Sequence, residues 1–257
     1  MSLFTEFKRR FDEKPDAIWQ QIFADNKDTI KIKKEKFVLP NLQAIITSTI
    51  ELSNRTGFRA MSLRDLSNDT GISMGALYSY IDSKKRLMEM ILGHVLRSVE
   101  TTLGAEEVAR LEPRPRLNWL LRNHVYLSEV MQPWFFFAYM EAKSFDRVGK
   151  RLAIENELRT EGILAACIAA GTADGVFRPV DPLATAALIK PLLQDWYLKR
   201  WKHRRREVGP DAYAERIIAF VEAFLLEQGT QPASRPRSKN RRIEDNAAAV
   251  AAPRALE

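Results

Sequence analysis

The side chains of this sequence with the clearest chemistry are donors suited to anions, and they are concentrated in residues 73–86. Tyr78 and Tyr80 carry hydroxyl groups, and three cations follow at residues 84–86. Hydroxyl and cationic side chains commonly donate hydrogen bonds to phosphate oxygens. Cations at the start of a helix oppose its macrodipole at a cost of about 0.3–1 kcal/mol each, which favours an anionic partner. The stretch therefore predicts contact with phosphates, and the alternative is an ordinary solvated helix start.

Two short helices joined by a turn are predicted to position these donors. Ser62 can cap the first helix, with Asp65 at the position where a capping box usually has Glu or Gln. Gly71 can end that helix in the left-handed conformation, and Ser73 can cap the second helix, predicted over residues 74–81. Two helices with a glycine-containing turn form a helix-turn-helix, whose second helix lies in the DNA major groove. The pattern indicates DNA as the polyanion.

A basic segment precedes the helix that leads into this motif. Residues 31–36 read KIKKEK, and Lys33, Lys34 and Lys36 are predicted to form a flexible arm on the DNA backbone or in a minor groove. Between residues 30 and 97, eleven lysine and arginine residues stand against six aspartate and glutamate residues. A solvated linker is the alternative for the arm, but the region as a whole is locally basic.

The segment over residues 40–92 resembles the DNA-binding domain of TetR/AcrR-type transcriptional repressors. The resemblance is carried by the apolar face of a helix over residues 42–53, by Gly57-Phe58, and by the stretches SLRDLSNDTGIS and GALYSYIDSKKRL. Ile81 and Lys85 depart from the phenylalanine and the acidic residue usual in the family. The resemblance implies contacts with phosphates or base edges for Thr70, Ser73, Met74, Gly75, Tyr78, Tyr80 and Lys84. The predicted DNA-binding set is completed by Lys33, Lys34, Lys36, Ser62, Arg64 and Lys85.

The remaining sequence contains helical patterns only, and the predicted fold class is all-α. Residues 1–36 are predicted to form an extension with two short amphipathic helices and the basic arm, and residues 37–92 a three-helix helix-turn-helix domain. The resemblance implies that residues 93–229 form a C-terminal helical ligand-binding and dimerisation domain. A disordered tail is predicted over residues 230–257. Helices downstream of the motif are predicted over residues 96–103, 116–130, 133–144, 146–170, 181–206 and 211–227.

A run of aromatic residues, WFFFAYM over residues 134–140, is the strongest candidate for the wall of a ligand cavity. Aromatic side chains lie on every side of that helix, so one packing surface does not account for all of them. The resemblance implies an effector cavity in this domain, and plain hydrophobic core is the alternative. The predicted lining residues are Trp119, His124, Leu127, Trp134, Phe135, Phe136, Phe137, Tyr139, Met140, Leu164 and Ile168.

The last two predicted helices carry more apolar surface than one hairpin can bury. The apolar residues are Leu183, Ala187, Leu188, Leu192 and Trp196 on the first helix and Ile217, Ile218, Phe220, Val221, Phe224 and Leu225 on the second. They predict a two-fold homodimer through a four-helix interface, and ordinary core is the alternative. Such a dimer holds its two reading helices about 34–36 Å apart, so the predicted DNA operator is a near-palindrome.

The composition fits a DNA-binding regulator and offers little for catalysis. The 257 residues carry a formal net charge of +7, which favours a polyanionic partner. The three histidines are far apart, Cys167 lies in an apolar stretch, and no phosphate-binding glycine loop or nucleophile elbow is found. No enzyme activity, metal or cofactor is therefore predicted. No apolar run is long enough for a membrane span, and a cytoplasmic location is expected.

The predicted function is a ligand-responsive transcriptional regulator, a repressor that binds a palindromic operator as a dimer and is released by a small apolar effector. Some members of the family that the chain resembles respond to fatty acyl-CoA thioesters, so an acyl-CoA is one candidate effector beside other lipid-like or aromatic molecules. The basic run at residues 199–206 could meet the phosphates of such a thioester, or could simply complement a helix dipole. The alternative function is a nonspecific basic or architectural DNA-binding protein without an inducer.

Overall fold

The computed structural model describes residues 1–13, 16–32 and 34–226, and every regular element within them is a helix. The α-helices of these residues are α1 (Leu3–Asp12), α2 (Ala17–Asp25), α3 (Glu35–Thr56), α4 (Leu63–Thr70), α5 (Met74–Leu77), α6 (Lys84–Leu103), α7 (Glu106–Ala109), α8 (Pro113–Val130), α9 (Gln132–Met140), α10 (Arg147–Ala173), α11 (Pro182–Leu198), α12 (Arg200–Arg205) and α13 (Pro210–Leu225). The all-α prediction is confirmed. The predicted tail at residues 230–257 lies outside the described residues. None of the helices in the described ranges is both long and apolar enough to cross a bilayer.

The first hydrophobic core, called the N-terminal core below, forms where α2 and α3 pack with α4, α5 and the start of α6. Leu42 and Ile45 of α3 are fully buried in it, and Leu66 and Leu77 anchor the two helices of the predicted helix-turn-helix. The apolar residues of α3 recur at helical spacing, so one side of the helix faces this core. Ile22 of α2 belongs to the same core. The N-terminal core therefore includes part of the predicted extension.

The second hydrophobic core, called the C-terminal core, forms between α8, α10, α11, α13 and the second half of α6. Leu164 and Ile168 of α10, Trp196 of α11 and Leu225 of α13 are almost completely buried there. Phe177, in the connection before α11, packs so closely on α10 that no side chain larger than hydrogen would fit at Gly171. This core holds together the segment predicted as the C-terminal domain.

The two helices predicted in the N-terminal extension are present, and they pack on different parts of the molecule. The Phe4 ring of α1 lies 5.4 Å from the Tyr126 ring of α8, and the Phe4 amide donates to Asp211 Oδ1 at 3.0 Å. The Trp19 ring of α2 lies 5.9 Å from the Trp134 ring of α9. The extension thus contacts the C-terminal core through α1 and the N-terminal core through α2.

Two helices, α6 and α9, belong to both cores. Leu87 of α6 lies in the N-terminal core and Val99, more than three turns later, in the C-terminal core. Phe137 of α9 meets Phe58 edge to face at 5.5 Å in the N-terminal core, whereas Phe135 is buried in the C-terminal core. The relative position of the two cores is therefore fixed by shared helices.

Some helix boundaries differ from the prediction for identifiable reasons. Helix α8 begins at Pro113, because proline is tolerated in a first turn where its missing N–H would have no helical partner. The helix predicted over residues 181–206 is interrupted at Lys199, whose φ of −117° and ψ of 40° are not helical, and this divides it into α11 and α12. Helix α9 ends at Met140, and a short 3-10 helix, Ala142–Ser144, continues the chain. Helix α7 was not predicted.

A buried histidine lies at the junction of the two cores. His94 of α6 is 6% exposed, and its ring centroid lies 5.0 Å from that of Trp134. Its Nδ1 has no hydrogen-bond partner among the described residues. Burial is the main cause that lowers the pKa of His94 to about 4, and the charge of Arg97 acts in the same direction against that of Asp25. The junction is therefore built around the neutral imidazole.

We expect the stability of the protein to fall as the pH drops from 6.5 towards 4, because the unfolded chain then binds a proton that folded His94 does not. This shift of the His94 pKa corresponds to a loss of about 3 kcal/mol in the free energy of unfolding between pH 6.5 and pH 4. The free energy of unfolding, measured in urea across this pH range, should fall less steeply for His94→Leu than for the wild type. His124 is present in both proteins, so their difference isolates His94. Parallel curves would contradict the assignment.

Candidate nucleic-acid interface and effector cavity

The turn between α4 and α5 is held by side chains that bond to its backbone. Ser62 and Asp65 form the predicted capping box at the start of α4, and Gly71 ends that helix in the left-handed conformation with a φ of 69°. Ser67 Oγ donates to the Ile72 carbonyl at 2.6 Å across the turn. Thr70 Oγ1 donates to the Leu66 carbonyl at 2.7 Å, so this predicted DNA contact is engaged within the motif. These bonds fix the angle at which α5 leaves α4.

The second helix of the motif is shorter than the predicted residues 74–81. Helix α5 covers Met74–Leu77, and the chain continues in a turn in which Tyr80 N bonds to the Leu77 carbonyl at 2.9 Å. The Ser79 carbonyl accepts a hydrogen bond from Lys31 N at 2.9 Å. The Ser79 carbonyl is therefore bonded to a segment outside the motif and does not continue the hydrogen-bond pattern of the helix. The same bond brings the segment before α3 next to the predicted reading helix.

The surface of the motif presents most of the predicted DNA-binding residues to solvent. Tyr78 is 44% exposed, and its hydroxyl has no hydrogen-bond partner among the described residues. Met74 is half-buried against the N-terminal core. The other exposed members of the predicted set are Lys34, Lys36, Ser62, Arg64, Ser73, Gly75 and Lys85. Lys33 lies outside the described residues.

The two lysines predicted to belong to a flexible arm are held by α3 instead. Lys34 is the residue that precedes α3, and Lys36 lies in its first turn. The helix starts ahead of Pro40, which interrupts its hydrogen bonds at one place only. The carbonyl of Phe37 accepts from the Asn41 side chain at 3.3 Å and from the Tyr80 hydroxyl at 3.2 Å. These side-chain donors stabilise the start of α3, so the two lysines project from a helix.

The position of Tyr80 contradicts its predicted role as a phosphate donor. It is 2% exposed, and its hydroxyl donates to the Phe37 carbonyl and accepts from Asn41 Nδ2 at 2.7 Å. A tyrosine whose hydroxyl is already paired inside the protein has no donor left for DNA. Tyr80 is therefore a structural link between the reading segment and α3, and Tyr78 is the hydroxyl that faces outward.

The three cations at the start of α6 have different surroundings. Lys84 Nζ donates to the Arg59 carbonyl at 3.0 Å and lies 4.9 Å from the centre of the Phe58 ring, and partial burial lowers its pKa. Lys85 Nζ is within 3.9 Å of Glu89 and 3.8 Å of Asp146. Arg86 Nη2 donates to Asn26 Oδ1 at 2.8 Å, which ties α6 to α2. Intramolecular contacts therefore explain much of this basic run.

A cavity of about 540 Å³ lies between α6, α9, α10 and α11. Its volume is in the usual range for small-molecule sites. Its apolar wall is formed by Val95, Leu96, Val99, Phe135, Ala138, Ala142, Ala153 and Ile154, and its polar lining by Tyr139, Lys143, Lys150, Asn156, Glu157, Thr160, Lys190, Gln194 and Tyr197. The wall is therefore mainly apolar, with charged groups at defined places.

The comparisons with known proteins agree with this architecture. HbdR of Aromatoleum sp. (strain CIB), an HTH-type transcriptional regulator, is 26% identical over 205 residues, which cover 79% of this chain and 89% of HbdR. The structure of a tetR-family regulatory protein from Rhodococcus RHA1 superposes with a TM-score of 0.65 at 21% identity, over 72% of this chain and 96% of that protein. No family model matches. The chain has the TetR fold.

A further TetR-fold structure was solved with a ligand. FadR from Bacillus subtilis, in complex with stearoyl-CoA, superposes with a TM-score of 0.57 at 13% identity, over 70% of this chain and 96% of FadR. At this identity the likeness is one of fold.

In this TetR fold, only two of the eleven predicted lining residues, Phe135 and Tyr139, are on the wall of the cavity. Leu127, Leu164 and Ile168 are buried in the C-terminal core, with Trp119 packed against it. His124 is buried behind Phe135, with ring centroids 6.1 Å apart. Trp134 and Phe137 pack on the N-terminal core, and Phe136 and Met140 are not among the lining residues.

Apart from Tyr139, the polar lining of the cavity was absent from the predicted set. Lys190 is the clearest omission, since it is 5% exposed and its Nζ lies 3.3 Å from Glu157 Oε2. Gln194 Nε2 donates to the other carboxylate oxygen of Glu157 at 2.8 Å. The sequence did contain a signal for Lys190, because a lysine within the apolar stretch of residues 182–193 is unusual. Its depth in the TetR fold could not be read from that stretch.

We expect Tyr80→Phe to destabilise the protein by about 1–1.5 kcal/mol, because the Phe37 carbonyl and Asn41 lose a buried partner. Tyr78→Phe is the matched control and should change the free energy of unfolding by less than about 0.5 kcal/mol. Urea denaturation of the two variants and the wild type measures both effects. Equal stabilities of the two variants would contradict the structural role given to Tyr80.

Proposed function

We propose that this chain is a ligand-responsive transcriptional repressor that binds a near-palindromic DNA operator as a homodimer. A small apolar effector in the cavity releases it from the operator. The observation that carries the proposal is that one TetR fold combines an exposed helix-turn-helix surface with a cavity, and that α9 contributes both to the cavity wall and to the N-terminal core.

The DNA-binding half of the proposal is supported by the outward-facing donors of the motif. Tyr78, Arg64 and Lys36 are exposed on the elements that surround α5. The bond from Lys31 N to the Ser79 carbonyl holds the basic segment beside the same surface. Hydroxyl and cationic donors of this kind bind phosphates and so position the protein along the duplex. Few side chains on α5 can make bidentate contacts to bases. Sequence preference therefore depends in large part on DNA shape and on water-mediated contacts.

We expect one palindromic duplex, selected from a random library, to outcompete bulk DNA at physiological ionic strength. Specific contacts persist when salt has weakened the electrostatic part of the affinity. In fluorescence anisotropy, Tyr78→Phe should weaken operator binding about tenfold, which corresponds to one charge-assisted hydrogen bond. Tyr80→Phe should keep the wild-type affinity, because its hydroxyl does not reach the surface.

Lys8→Ala tests whether operator binding follows the overall positive charge, because Lys8 lies on α1, outside the motif, and pairs with Asp12 there. Its operator affinity should equal that of the wild type. If a scrambled duplex competes as well as the palindrome across the salt titration, the chain is instead a nonspecific or architectural DNA-binding protein. Unchanged operator binding in the presence of acyl-CoAs of every chain length would exclude acyl-CoAs as the effector.

The homodimer is supported by apolar side chains that the single chain leaves uncovered. Leu183 and Leu188 on α11 are 68% and 72% exposed, and Phe220 and Phe224 on α13 are 66% and 41% exposed. Other residues predicted for the interface, such as Trp196 and the residues 217, 218, 221 and 225, are buried within the chain. An exposed apolar face on two adjacent helices is typical of a surface that a second copy covers.

We expect Leu188→Glu combined with Phe220→Glu to produce a monomer of about 29.5 kDa in size-exclusion chromatography with light scattering. Buried carboxylates would face each other in the interface at a large desolvation cost, while the single chain, in which both positions are exposed, stays folded. The double variant should lose the preference for a full palindrome over one half-site. Leu158→Glu is the control, because Leu158 is 59% exposed on α10 and should leave the dimer intact. A dimeric double variant would exclude this interface.

The effector half of the proposal is supported by the position of the cavity on a helix shared by both cores. Ala138 and Tyr139 line the cavity, and Phe137, next to them on α9, packs against Phe58. A ligand that fits only one position of α9 shifts the population of DNA-binding heads towards that position. An acyl-CoA is one candidate effector, since Lys143 and Lys150 at the cavity could meet its phosphates. The complex of FadR with stearoyl-CoA has the same fold.

A further inference from the structure

The cavity has two chemically different ends. Tyr139 and Ile154 are 48% and 58% exposed, and Lys143 and Lys150 are exposed beside them, so these residues form a rim that solvent reaches. Lys143 and Lys150 have no ion-pair partner in the part of the chain that the structure describes. The opposite end, called the floor below, is formed by buried residues, namely Phe135, Thr160, Lys190, Gln194 and Tyr197. The exposed end of the cavity therefore carries two cations, and its buried end carries polar groups.

The floor is polar in a way that packing alone does not require. Lys190 Nζ pairs with Glu157 Oε2, and Gln194 holds the other carboxylate oxygen. An ammonium group has three donors, and in the described residues Lys190 Nζ pairs with Glu157 alone, while the charge of Glu161 acts on it from further away. Donors therefore remain on a side chain that is only 6% exposed and lines the cavity. Buried donors without partners are costly, and a ligand oxygen would relieve this cost.

The charge balance of the cavity selects for an anion. Three lysines and one glutamate line it, which leaves an excess of two positive charges among the lining residues. Both of the unpaired lysines are at the rim. Behind Phe135, His124 is fully buried with no hydrogen-bond partner for either ring nitrogen among the described residues. Its burial and the neighbouring charge of Lys190 lower its pKa, so it adds no positive charge behind the floor.

We propose that the effector is an anionic amphiphile with a second oxygen function at its buried end, and that Lys190 is the residue that selects it. The anionic group binds Lys143 and Lys150 at the rim, the apolar part lies between Val95, Phe135 and the other apolar wall residues, and a hydroxyl, carbonyl or carboxylate oxygen accepts from Lys190. A coenzyme A thioester and a free acid share this chemistry. The inference rests on the proposed function, because it names the ligand class of the same cavity.

The experiment is isothermal titration calorimetry of the full chain with matched ligand pairs. The pairs are butanoyl-, hexanoyl-, octanoyl- and decanoyl-CoA, each with its ω-hydroxy counterpart, and the free acids of the same lengths form a second arm. We expect the wild type to prefer the ω-hydroxy member of at least one pair by tenfold or more, since a site built to hydrogen-bond a hydroxyl rejects the analogue without it. The arm that binds identifies whether the rim holds CoA phosphates or a carboxylate.

Two variants test Lys190 itself. Lys190→Met keeps the length of the side chain and should abolish or reverse the preference, because the floor then has no donor in that place. Glu157 is 39% exposed and can be solvated in this variant, so we expect it to fold. Glu157→Gln removes the carboxylate that pairs with Lys190 and should strengthen binding of the ω-carboxy analogue of each ligand relative to the ω-hydroxy one. Lys143→Ala should weaken both members of a pair alike and leave their ratio unchanged.

The proposal is overturned if the wild type binds the plain member of every pair as well as its ω-hydroxy counterpart, if Lys190→Met keeps the wild-type ratio, or if no member of either arm binds. Operator affinity is measured on the same preparations without ligand. Loss of operator binding with an intact ω-hydroxy preference would reject the proposed repressor while the ligand class stands. Intact operator binding without an ω-hydroxy preference would reject the ligand class alone.

Discussion

The molecule depends on one helix, α9, being covered by two hydrophobic cores. A helix with apolar side chains on every side needs to be covered on more than one side. Phe137 is covered by Phe58 in the N-terminal core, Phe135 lies in the C-terminal core, and Trp134 contacts both. Because protein interiors are close-packed, a displacement of α9 changes the packing of both cores. The aromatic composition of this segment is thus the condition under which the two halves of the chain form one structure.

This arrangement gives the cavity a physical connection to the start of α6. Tyr139 of α9 lines the cavity, and Glu141, directly after α9, accepts a hydrogen bond from Phe58 N at 3.1 Å. The Phe58 ring in turn lies 4.9 Å from Lys84 Nζ, at the first residue of α6. A ligand that moves α9 therefore acts on Phe58 through both its ring and its backbone amide. Close-packed contacts of this kind favour two discrete positions over a continuous drift.

The sequence predicted best those features that short-range chemistry determines. The capping box at Ser62 and the left-handed Gly71 depend on neighbours within a few residues, and both were predicted correctly. Which direction a side chain faces depends on distant elements. The hydroxyl of Tyr80 is buried because α3 starts early enough to offer the Phe37 carbonyl. The aromatic side chains of α9 are divided between the two cores and the cavity, and of the α9 residues predicted to line the cavity only Phe135 and Tyr139 do so. The depth of Lys190 likewise depends on α10 packing against α11.

The polar floor of the cavity has a cost that the rest of the fold must offset. A charge buried in an ion pair, as Lys190 is beside the partly exposed Glu157, is often no more stabilising than an apolar residue of similar volume, because the buried charge loses its hydration. An open volume next to it removes further packing contacts. A chain shaped by stability alone would fill this space with apolar side chains. A ligand that fills the space and pairs with the ammonium group recovers both losses, and whatever binds only one conformation stabilises that conformation. Because Ala138 and Tyr139 line the cavity, such a ligand would contact α9 directly.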